Sequence, residues 1–399
     1  MSPIERLACF WYTYRMELRQ YTREDIQSKR VVLRCDLDVA VNTDGVVDQY
    51  HDLRLERVVP TLVELFSFGA RQVVIIGHRG RPNGKPEPGL SLAPVCERLR
   101  ELAAIEGLDE PIAFIEDISV DPTHHRDQDL VMLENLRFWP GEKNGDAAFA
   151  RTLGQWGEVY VNDAFGSSHR SDASVTLLAQ AMRDAFAGPE LAQEVARLGG
   201  FLERAAKPFV AIVGGAKIGT KLPLLTLLSQ RADQVLVGGA LANTILASRG
   251  ISMGASLMES ALFKKASELS GQSFHLPIDA VVSGGKVVSI TNIGLHEAML
   301  DIGPETIKNF VSCIQEAKTI LWNGPMGKFE DAAFSAGTDA VAQAVIGNEK
   351  ANALAGGGET IELLERLDLV SKFDFVSTGG GAMLTFLAGG EMPGLDAVA

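Results

Sequence analysis

The sequence contains few cysteines and no long apolar run. Its four cysteines (Cys9, Cys35, Cys96 and Cys313) are scattered through 399 residues and form no C-x-x-C pair. This spacing argues against a disulfide framework or a structural zinc site and favours a reducing compartment, the cytoplasm. Because no run of about 18 apolar residues is present, we expect no membrane-spanning helix.

The start of the sequence also fits a secretory signal poorly. The N-terminal stretch LACFWYTYRM is apolar and aromatic, but it is short and has no small-residue cleavage site. Translation could equally begin at Met16, in which case residues 1–15 would have no role.

Positive charge is scarce overall and unevenly distributed. The formal net charge of -14 makes nucleic acid or an anionic membrane a poor partner. Of the 23 arginines, 18 precede residue 188, whereas only 3 of the 14 lysines do. Arginine grips phosphates and carboxylates with two bonds, and lysine acts as a point charge. One half could therefore bind a small anionic molecule and the other a phosphate chain, although drift in surface composition would give the same asymmetry.

The usual nucleotide-binding motifs are absent. We find no G-x-x-x-x-G-K-[ST] loop and no proper G-x-G-x-x-G. A conventional P-loop enzyme or a nicotinamide-dependent dehydrogenase is therefore disfavoured.

Short apolar runs alternate with amphipathic segments along the chain, which predicts an α/β protein with doubly wound parallel sheets. A chain of this length favours two domains. We place an N-terminal domain at 1–187, a connecting helix bent at Gly199-Gly200 at 188–206, and a C-terminal domain at 207–399. The predicted strands are VVLRC (31–35), VVIIG (73–77), PIAFI (111–115), LVML (130–133), VYVND (159–163), FVAIVGG (209–215), QVLVGG (234–239), TILWNGP (319–325), ALAGGG (353–358) and FVSTGGG (375–381).

The ends of these strands differ between the two halves. In the first half they collect arginine and histidine, which indicates an anion site at the carboxyl edge of the sheet. In the second half they end in glycine clusters beside Lys217 and Lys221, which lets the backbone approach a polyphosphate closely. Each feature alone is more often a surface residue or a tight turn, and their coincidence at successive strand ends favours a site.

Six segments resemble signatures of the phosphoglycerate kinase family, in that family's order and spacing, from about residue 20 to the closing MPGLDAV. They are GHRGRP (77–82), LENLRF (133–138), VNDAFGSSHR (161–170), GGAKIGTK (214–221), WNGPMGKFE (322–330) and STGGGA (377–382).

The resemblance implies two Rossmann-like lobes joined by a hinge, with the extreme C-terminus able to pack back on the first lobe. The first lobe would bind 3-phosphoglycerate or 1,3-bisphosphoglycerate, and the second would bind Mg-ADP or Mg-ATP. The implied reaction is reversible transfer of the acyl phosphate to ADP in glycolysis and gluconeogenesis, by a protein that we expect to be a monomer.

Site residues carry over by motif. The resemblance implies that Arg54, Lys217 and Lys221 are catalytic, that Glu330 meets the ribose and that Glu359 is associated with Mg²⁺. The implied substrate-binding residues are Asp36, Asp38, Arg54, His78, Arg81, Arg137 and Arg170. The implied nucleotide-binding residues are Gly215, Lys217, Lys221, Gly238, Gly239, Asn323, Pro325, Glu330, Gly357, Gly358, Glu359 and Thr360.

The chain departs from the family pattern at several positions. Asp38 stands where the family ordinarily has Asn, and it adds a negative charge beside an anionic substrate. Arg79 could compensate that charge, or Asp38 could simply point to solvent. The other departures are Ala40 for Pro, Glu359 for Asp, Thr385 for Glu, and an unusual Asp172 after the His-Arg pair. A divergent, weakly active paralogue with a nucleotide-binding or regulatory role is therefore the alternative.

Overall fold

The computed structural model describes residues 18–48, 52–216, 218–269 and 273–399. The catalytic prediction for Lys217 and the question about residues 1–15 therefore fall outside the described residues. The chain divides into two compact units, the residues up to Gly199 together with Gly389–Ala399, and Gly200–Ala388. The helices and strands are described separately for each unit.

A parallel sheet of six strands forms the centre of the first unit. Its order is β3-β4-β2-β1-β5-β6. The strands are β1 (Arg30–Arg34), β2 (Gln72–Ile76), β3 (Ile112–Ile115), β4 (Leu130–Leu133), β5 (Val159–Asn162) and β6 (Asp184–Ala187). The apolar residues of β1, β2 and β5 are almost completely buried, as expected for a parallel sheet covered on both faces.

Helices cover this sheet. They are α1 (Arg23–Ile26), α2 (Asp52–Glu56), α3 (Val58–Ser67), α4 (Ala93–Ile105), α5 (Pro140–Asn144), α6 (Ala147–Gly154), α7 (Leu177–Ala181) and α8 (Pro189–Leu198). The amphipathic segment 53–68 forms two helices, because Pro60 has no N–H to donate to the carbonyl of Glu56. Proline is tolerated in the first turn of a helix, so α3 begins just before it.

The second unit repeats the architecture with a six-stranded parallel sheet in the order β15-β14-β13-β7-β8-β9. Its strands are β7 (Phe209–Val213), β8 (Gln234–Val237), β9 (Phe274–His275), β13 (Thr319–Asn323), β14 (Asn352–Gly356) and β15 (Phe375–Ser377). The helices of this unit are α9 (Phe201–Arg204), α10 (Ile218–Arg231), α11 (Gly239–Ser248), α12 (Phe263–Glu268), α13 (Pro304–Glu316), α14 (Ala336–Gly347), α15 (Gly358–Arg366) and α16 (Gly381–Leu387). The predicted α/β class with two doubly wound parallel sheets is confirmed.

A small antiparallel sheet in the second unit was not predicted. It has the order β11-β10-β12 and consists of β10 (Asp279–Val282), β11 (Val287–Ser289) and β12 (Met299–Ile302). A tight turn joins β10 to β11, with the Val282 amide donating to the carbonyl of Lys286 at 2.9 Å. These strands read DAVV, VVS and MLDI. Each is short and includes a polar residue, so the apolar pattern gave little support for a strand.

The connecting segment is broken at its glycine pair. Helix α8 ends when the Gly199 amide donates to the carbonyl of Val195 at 2.7 Å. Gly200 follows with φ +68, a left-handed conformation that favours glycine, and α9 then begins at Phe201. The boundary between the two compact units lies at this pair.

The last residues belong to the first unit. Helix α17 (Pro393–Asp396) packs there, and both Met392 and Leu395 are completely buried. The amide of Gly394 donates to the carbonyl of Ser168 at 2.8 Å, and the amide of Arg19 donates to that of Val398 at 3.0 Å. Residues 389–399 therefore pack with the first unit, although the whole second unit precedes them in the sequence.

No helix within the described ranges combines the length and apolar character that crossing a bilayer requires.

Candidate active site

The candidate site residues of the first unit lie where its strand order reverses. Strand β1 pairs with β2 on one side and with β5 on the other. Ligands of open α/β sheets bind at such switch points, outside the carboxyl ends of the strands. Asp36 and Asp38 follow β1, His78 follows β2, and Arg170 lies in the loop after β5.

Arg54 is held against the segment that follows β1. Its Nε lies 3.7 Å from Oδ2 of Asp36, and the two side chains are only 22% and 15% exposed. Its Nη1 donates to the backbone carbonyl of Asp38. The Asp38 amide lies 3.4 Å from Oδ1 of Asp36. The guanidinium is therefore positioned before any substrate arrives.

Asp38 keeps the turn but does not simply point to solvent. Its Oδ1 accepts a hydrogen bond from the Gly80 amide at 2.8 Å, although the side chain remains 38% exposed. Burial raises its pKa above the usual range, and the charge of Asp36 adds to this effect. The charge of Asp38 opposes the lowering of the Arg79 pKa by burial. The Arg79 guanidinium nevertheless donates its hydrogen bonds to the backbone carbonyls of Val39, Gly89 and Ser91, at 2.9–3.2 Å. The hydrogen bonds of the Arg79 guanidinium therefore go to backbone carbonyls and not to the Asp38 carboxylate.

His78 lies between Asp38 and Arg170. It is 2% exposed, and its Nε2 lies 3.5 Å from Nη1 of Arg170 and 3.9 Å from Oδ2 of Asp38. Burial, followed by the nearby Arg137 and Arg34, holds its pKa well below the usual value. The imidazole is therefore neutral near pH 7 and can act as a hydrogen-bonding group.

The remaining cationic side chains, of Arg81, Arg137, Lys143 and Arg170, line an open cleft of about 800 Å³ in the first unit. His169 also lines it, but burial lowers the pKa of its imidazole. We call this space the basic cleft and define it by Arg81, Arg137, Lys143, His169 and Arg170. Arg137 is buried; its Nη1 donates to the carbonyl of Gly80 at 2.7 Å and its Nη2 donates to Oδ2 of Asp172 at 3.2 Å. A pocket with this concentration of positive charge suits a phosphate or carboxylate. Sequence reasoning had not identified Lys143.

Arg34 has a structural position. It is completely buried at the end of β1, where its Nε donates to the hydroxyl of Ser174 at 3.0 Å and its Nη1 to that of Ser167. Glu142 in turn accepts from the Ser174 amide at 2.9 Å and from its hydroxyl at 2.6 Å. This network joins β1, helix α5 and the loop after β5.

In the second unit, backbone segments from three strand ends meet at Gly215. Strand β7 lies between β13 and β8, so the switch point falls at β7. The Gly215 amide donates to the carbonyl of Pro325 at 2.8 Å, and the Gly239 amide donates to that of Met326 at 2.8 Å. Gly239 has φ +61, and a Cβ there would lie 2.7 Å from the Gly215 nitrogen. A side chain at Gly239 would therefore force these segments apart.

Lys221 and Glu359 converge on the same glycine. A Cβ on Gly215 would lie 2.8 Å from Nζ of Lys221 and 2.7 Å from Oε2 of Glu359. Lys221 is buried, and its Nζ donates to the carbonyl of Gly214. An ammonium group and a carboxylate thus flank a stretch of backbone without side chains.

A cavity of about 210 Å³ lies beside this point. Five of the predicted nucleotide-binding residues line it, namely Gly215, Gly239, Pro325, Glu330 and Glu359. Lys221, Gly238, Asn323, Gly357, Gly358 and Thr360 are not among its lining residues. Asn243, Leu257, Met299 and Leu300 also line the cavity and were missed, because single apolar or amide residues that belong to no motif carry no sequence signal.

The start of α15 provides polar groups at the neighbouring strand ends. Gly357 caps this helix and Gly358 begins it. The Thr360 hydroxyl accepts from the Gly324 amide at 2.7 Å, and the Asn323 Nδ2 donates to the Gly356 carbonyl at 2.6 Å. Thr360 and Asn323 therefore hold the loops after β13 and β14 together, and a helix N-terminus of this kind attracts anions.

Comparison with known proteins decides the family. The family model described as phosphoglycerate kinase matches residues 21–390. The chain belongs to the phosphoglycerate kinase family. A phosphoglycerate kinase of Desulfosudis oleivorans is 40% identical over 392 residues, which cover 94% of this chain and 97% of the relative. One of Legionella pneumophila is 40% identical over 398 residues, covering 95% and 96%.

Two solved structures agree. Phosphoglycerate kinase from Coxiella burnetii has a TM-score of 0.75 at 35% identity, and that from Pyrococcus horikoshii has a TM-score of 0.82 at 29% identity; each comparison covers 94% of this chain and 96% of the other. The predicted identity as a phosphoglycerate kinase, a phosphotransferase of glycolysis, is confirmed, and nothing here favours the weakly active paralogue.

Proposed function

We propose that this phosphoglycerate kinase divides its two substrates between its two units. The first unit binds 3-phosphoglycerate or 1,3-bisphosphoglycerate at the basic cleft and the neighbouring Asp36, and the second binds ATP or ADP beside Gly215. The observation that carries the proposal is the contrast between the two switch points. Arginines cluster at one, whereas Lys221 and Glu359 flank a bare glycine backbone at the other.

The residues of the first unit have distinct roles in this proposal. Asp36 accepts a hydrogen bond from the substrate hydroxyl, and neutral His78 contributes a further polar contact. Arg81, Arg137 and Arg170 neutralise the substrate phosphate. Arg54 stabilises the negative charge of the phosphoryl group during transfer. Because the attacking group is a carboxylate, no general base is required.

The nucleotide lies along the cavity of the second unit. Glu330 is exposed at its wall and is positioned to bind the ribose. Gly357, Gly358 and Thr360 receive the phosphate chain at the start of α15, next to Asn323. Gly239, preceded by Gly238, lines the cavity together with Pro325. Lys221 balances the phosphate charge together with Lys217, which the family motif assigns.

Glu359 fits a magnesium ion that is held chiefly by the nucleotide. Mg²⁺ commonly binds through one or two carboxylates, waters and substrate phosphates. No group of three or more potential metal ligands occurs among the described residues, and the Glu359 carboxylate faces the glycine backbone beside Lys221. Bound Mg²⁺ would neutralise charge on the nucleotide oxygens.

The initial rate of ATP-dependent phosphorylation of 3-phosphoglycerate by the purified chain, measured with Mg²⁺, tests the proposal. We expect turnover within the usual enzymatic range of about 1–10³ s⁻¹. ATP binding without turnover would overturn it.

We further propose that the enzyme acts as a monomer in the cytoplasm. Cys35, Cys96 and Cys313 are free thiols among the described residues, which is what a reducing compartment favours. Sedimentation at working concentration tests the oligomeric state, and fractionation of the source cells tests the compartment.

Asp38→Asn should tighten binding of 3-phosphoglycerate. A charge about 4 Å from an anion costs about 1 kcal/mol in water, and the 38% exposure of Asp38 favours this screened value. We therefore expect the KM for 3-phosphoglycerate to fall about five-fold. Because the pKa of Asp38 is raised, its carboxylate loses its charge at a higher pH than usual as the pH falls. Acidification from pH 7 should therefore reduce the difference in KM between the wild type and the variant.

Steady-state kinetics at several pH values checks this prediction. Asp44→Asn, a matched removal of an exposed carboxylate in the same unit, should leave the KM unchanged. An Asp38→Asn variant with an unchanged or higher KM would contradict the prediction.

Glu359→Gln should raise the Mg²⁺ concentration that gives the half-maximal rate. Losing one full charge next to a divalent ion costs more than about 1 kcal/mol even in water, so we expect a shift of about ten-fold or more. Glu359→Asp keeps the carboxylate and should behave closer to wild type. Magnesium titrations at fixed ATP give the measurement, with the exposed Glu349→Gln as control; equal curves for all variants would refute the assignment.

A further inference from the structure

Asp172 lies against the basic cleft and pairs with two of the cations that line it. Its side chain is 3% exposed, yet both carboxylate oxygens contact cations that line the cleft. Oδ2 lies 3.2 Å from Nη2 of Arg137, and Oδ1 lies 2.9 Å from Nζ of Lys143. A buried carboxylate thus lies where the cleft would otherwise present two positive charges to an anion.

The carboxylate cannot easily turn away. The carbonyl of Asp172 accepts from the amides of Val175 at 2.9 Å and Thr176 at 3.2 Å. The next residue, Ala173, donates its amide to the carbonyl of Glu142 at 2.8 Å. These bonds fix the turn against helix α5, which carries Lys143.

The two cations differ in what they can do. The side chain of Arg137 is 3% exposed and also donates to the carbonyl of Gly80, so its guanidinium is fixed and needs a negative partner. The side chain of Lys143 is 51% exposed. It can exchange Asp172 for a ligand in the cleft by a small movement of its flexible stem.

We propose that Asp172 is an internal counter-anion of the basic cleft, a positioning residue that sets how tightly the substrate phosphate is held. It satisfies buried Arg137 when the cleft is empty and keeps Lys143 directed towards the cleft. It also competes with the phosphate of 3-phosphoglycerate for both cations. This inference rests on the proposed binding of that substrate in the first unit.

The direction in which Asp172→Asn changes the affinity for 3-phosphoglycerate distinguishes this role from a purely structural one. A charge about 6 Å from a phosphate changes its binding about three-fold even through water. Asp172→Asn should therefore strengthen binding of 3-phosphoglycerate at least three-fold at low salt. The gain should shrink as ionic strength rises, since charges are screened over about 10 Å at 0.1 M. Removing a merely structural carboxylate would weaken binding or leave it unchanged.

Lys143→Met provides a second, opposite test that leaves the Asp172–Arg137 pair in place. It should weaken binding of 3-phosphoglycerate about three-fold. In the double variant, the gain from Asp172→Asn should be smaller than in the wild-type background, because Lys143 is one of the two cations that Asp172 releases.

The experiment is isothermal titration of the full chain with 3-phosphoglycerate and, separately, with inorganic sulfate, at two salt concentrations. Asp109→Asn removes an exposed charge of the same unit and serves as control. Tighter binding in Asp172→Asn alone, with the salt dependence above, is the expected result. Equal or weaker binding overturns the inference. If Asp172→Asn does not fold, unchanged binding in Lys143→Met overturns it. Absence of both 3-phosphoglycerate binding and turnover in the wild type would instead refute the proposed function.

Discussion

Arg54→Met should lower kcat about 10³-fold. Contacts with Asp36 and with the backbone of Asp38 hold the guanidinium in place before substrate binds. Removing a single preorganised group that stabilises transition-state charge typically costs 10²–10³ in kcat, and arginines at a transferring phosphoryl group lie at or above the upper end of that range. The KM for 3-phosphoglycerate should change far less, because Arg54 acts mainly on the group in transfer.

Initial rates with both substrates varied provide the measurement. Arg71→Met changes an exposed arginine of the same unit and should keep wild-type kinetics. A normal kcat with only a raised KM would mean that Arg54 binds the ground state and would remove it from the catalytic group.

Lys221→Met should lower kcat/KM for ATP about 10²–10³-fold. Its ammonium group is buried, so its interaction with a phosphate is weakly screened by water. The contact with the carbonyl of Gly214 and the proximity of Glu359 keep it beside the nucleotide cavity. Methionine nearly preserves the length of the side chain, so the decrease in kcat/KM should reflect the lost charge more than lost packing.

Kinetics with varied ATP should be combined with calorimetry of ADP binding, to separate lost affinity from lost catalysis. Lys264→Met removes an exposed lysine of α12 and is the matched control. Wild-type kinetics for Lys221→Met would show that its charge is dispensable and would leave the family-assigned Lys217 as the leading candidate.

Sequence reasoning predicted the strands that carry strong local patterns. Runs such as VVII in β2 are β-branched, apolar and bounded by polar residues, so their burial in a parallel sheet was expected. Strand β6 reads DAFA and was missed because it has no β-branched residue. Strand β9 has two residues, Phe274 and His275, and pairs only because β8 lies beside it. Tertiary contacts specify these edge strands.

The site was predicted where motifs are continuous and missed where it depends on distant contacts. In GHRGRP, His78 and Arg81 follow β2 within five residues, so their position at the end of that strand does not depend on distant parts of the chain. Lys143, in contrast, reaches the basic cleft because a turn about thirty residues later presents Asp172 to it. Arg34 ends the predicted strand VVLRC and resembles an anion-binding arginine in sequence, but it is buried inside the unit, where it donates to hydroxyls of a later loop.

The contribution of Gly389–Ala399 to the first unit has a consequence for synthesis of the protein. Gly394 fits so closely that a Cβ there would lie 2.8 Å from Cα of Ser168 and 2.7 Å from Cγ1 of Val175. The ribosome delivers this segment only after all of Gly200–Ala388 has been translated. The unit that is made first therefore waits for this later segment before helix α17 can pack, and the surface that buries Leu395 stays open to water and to chaperones in the meantime.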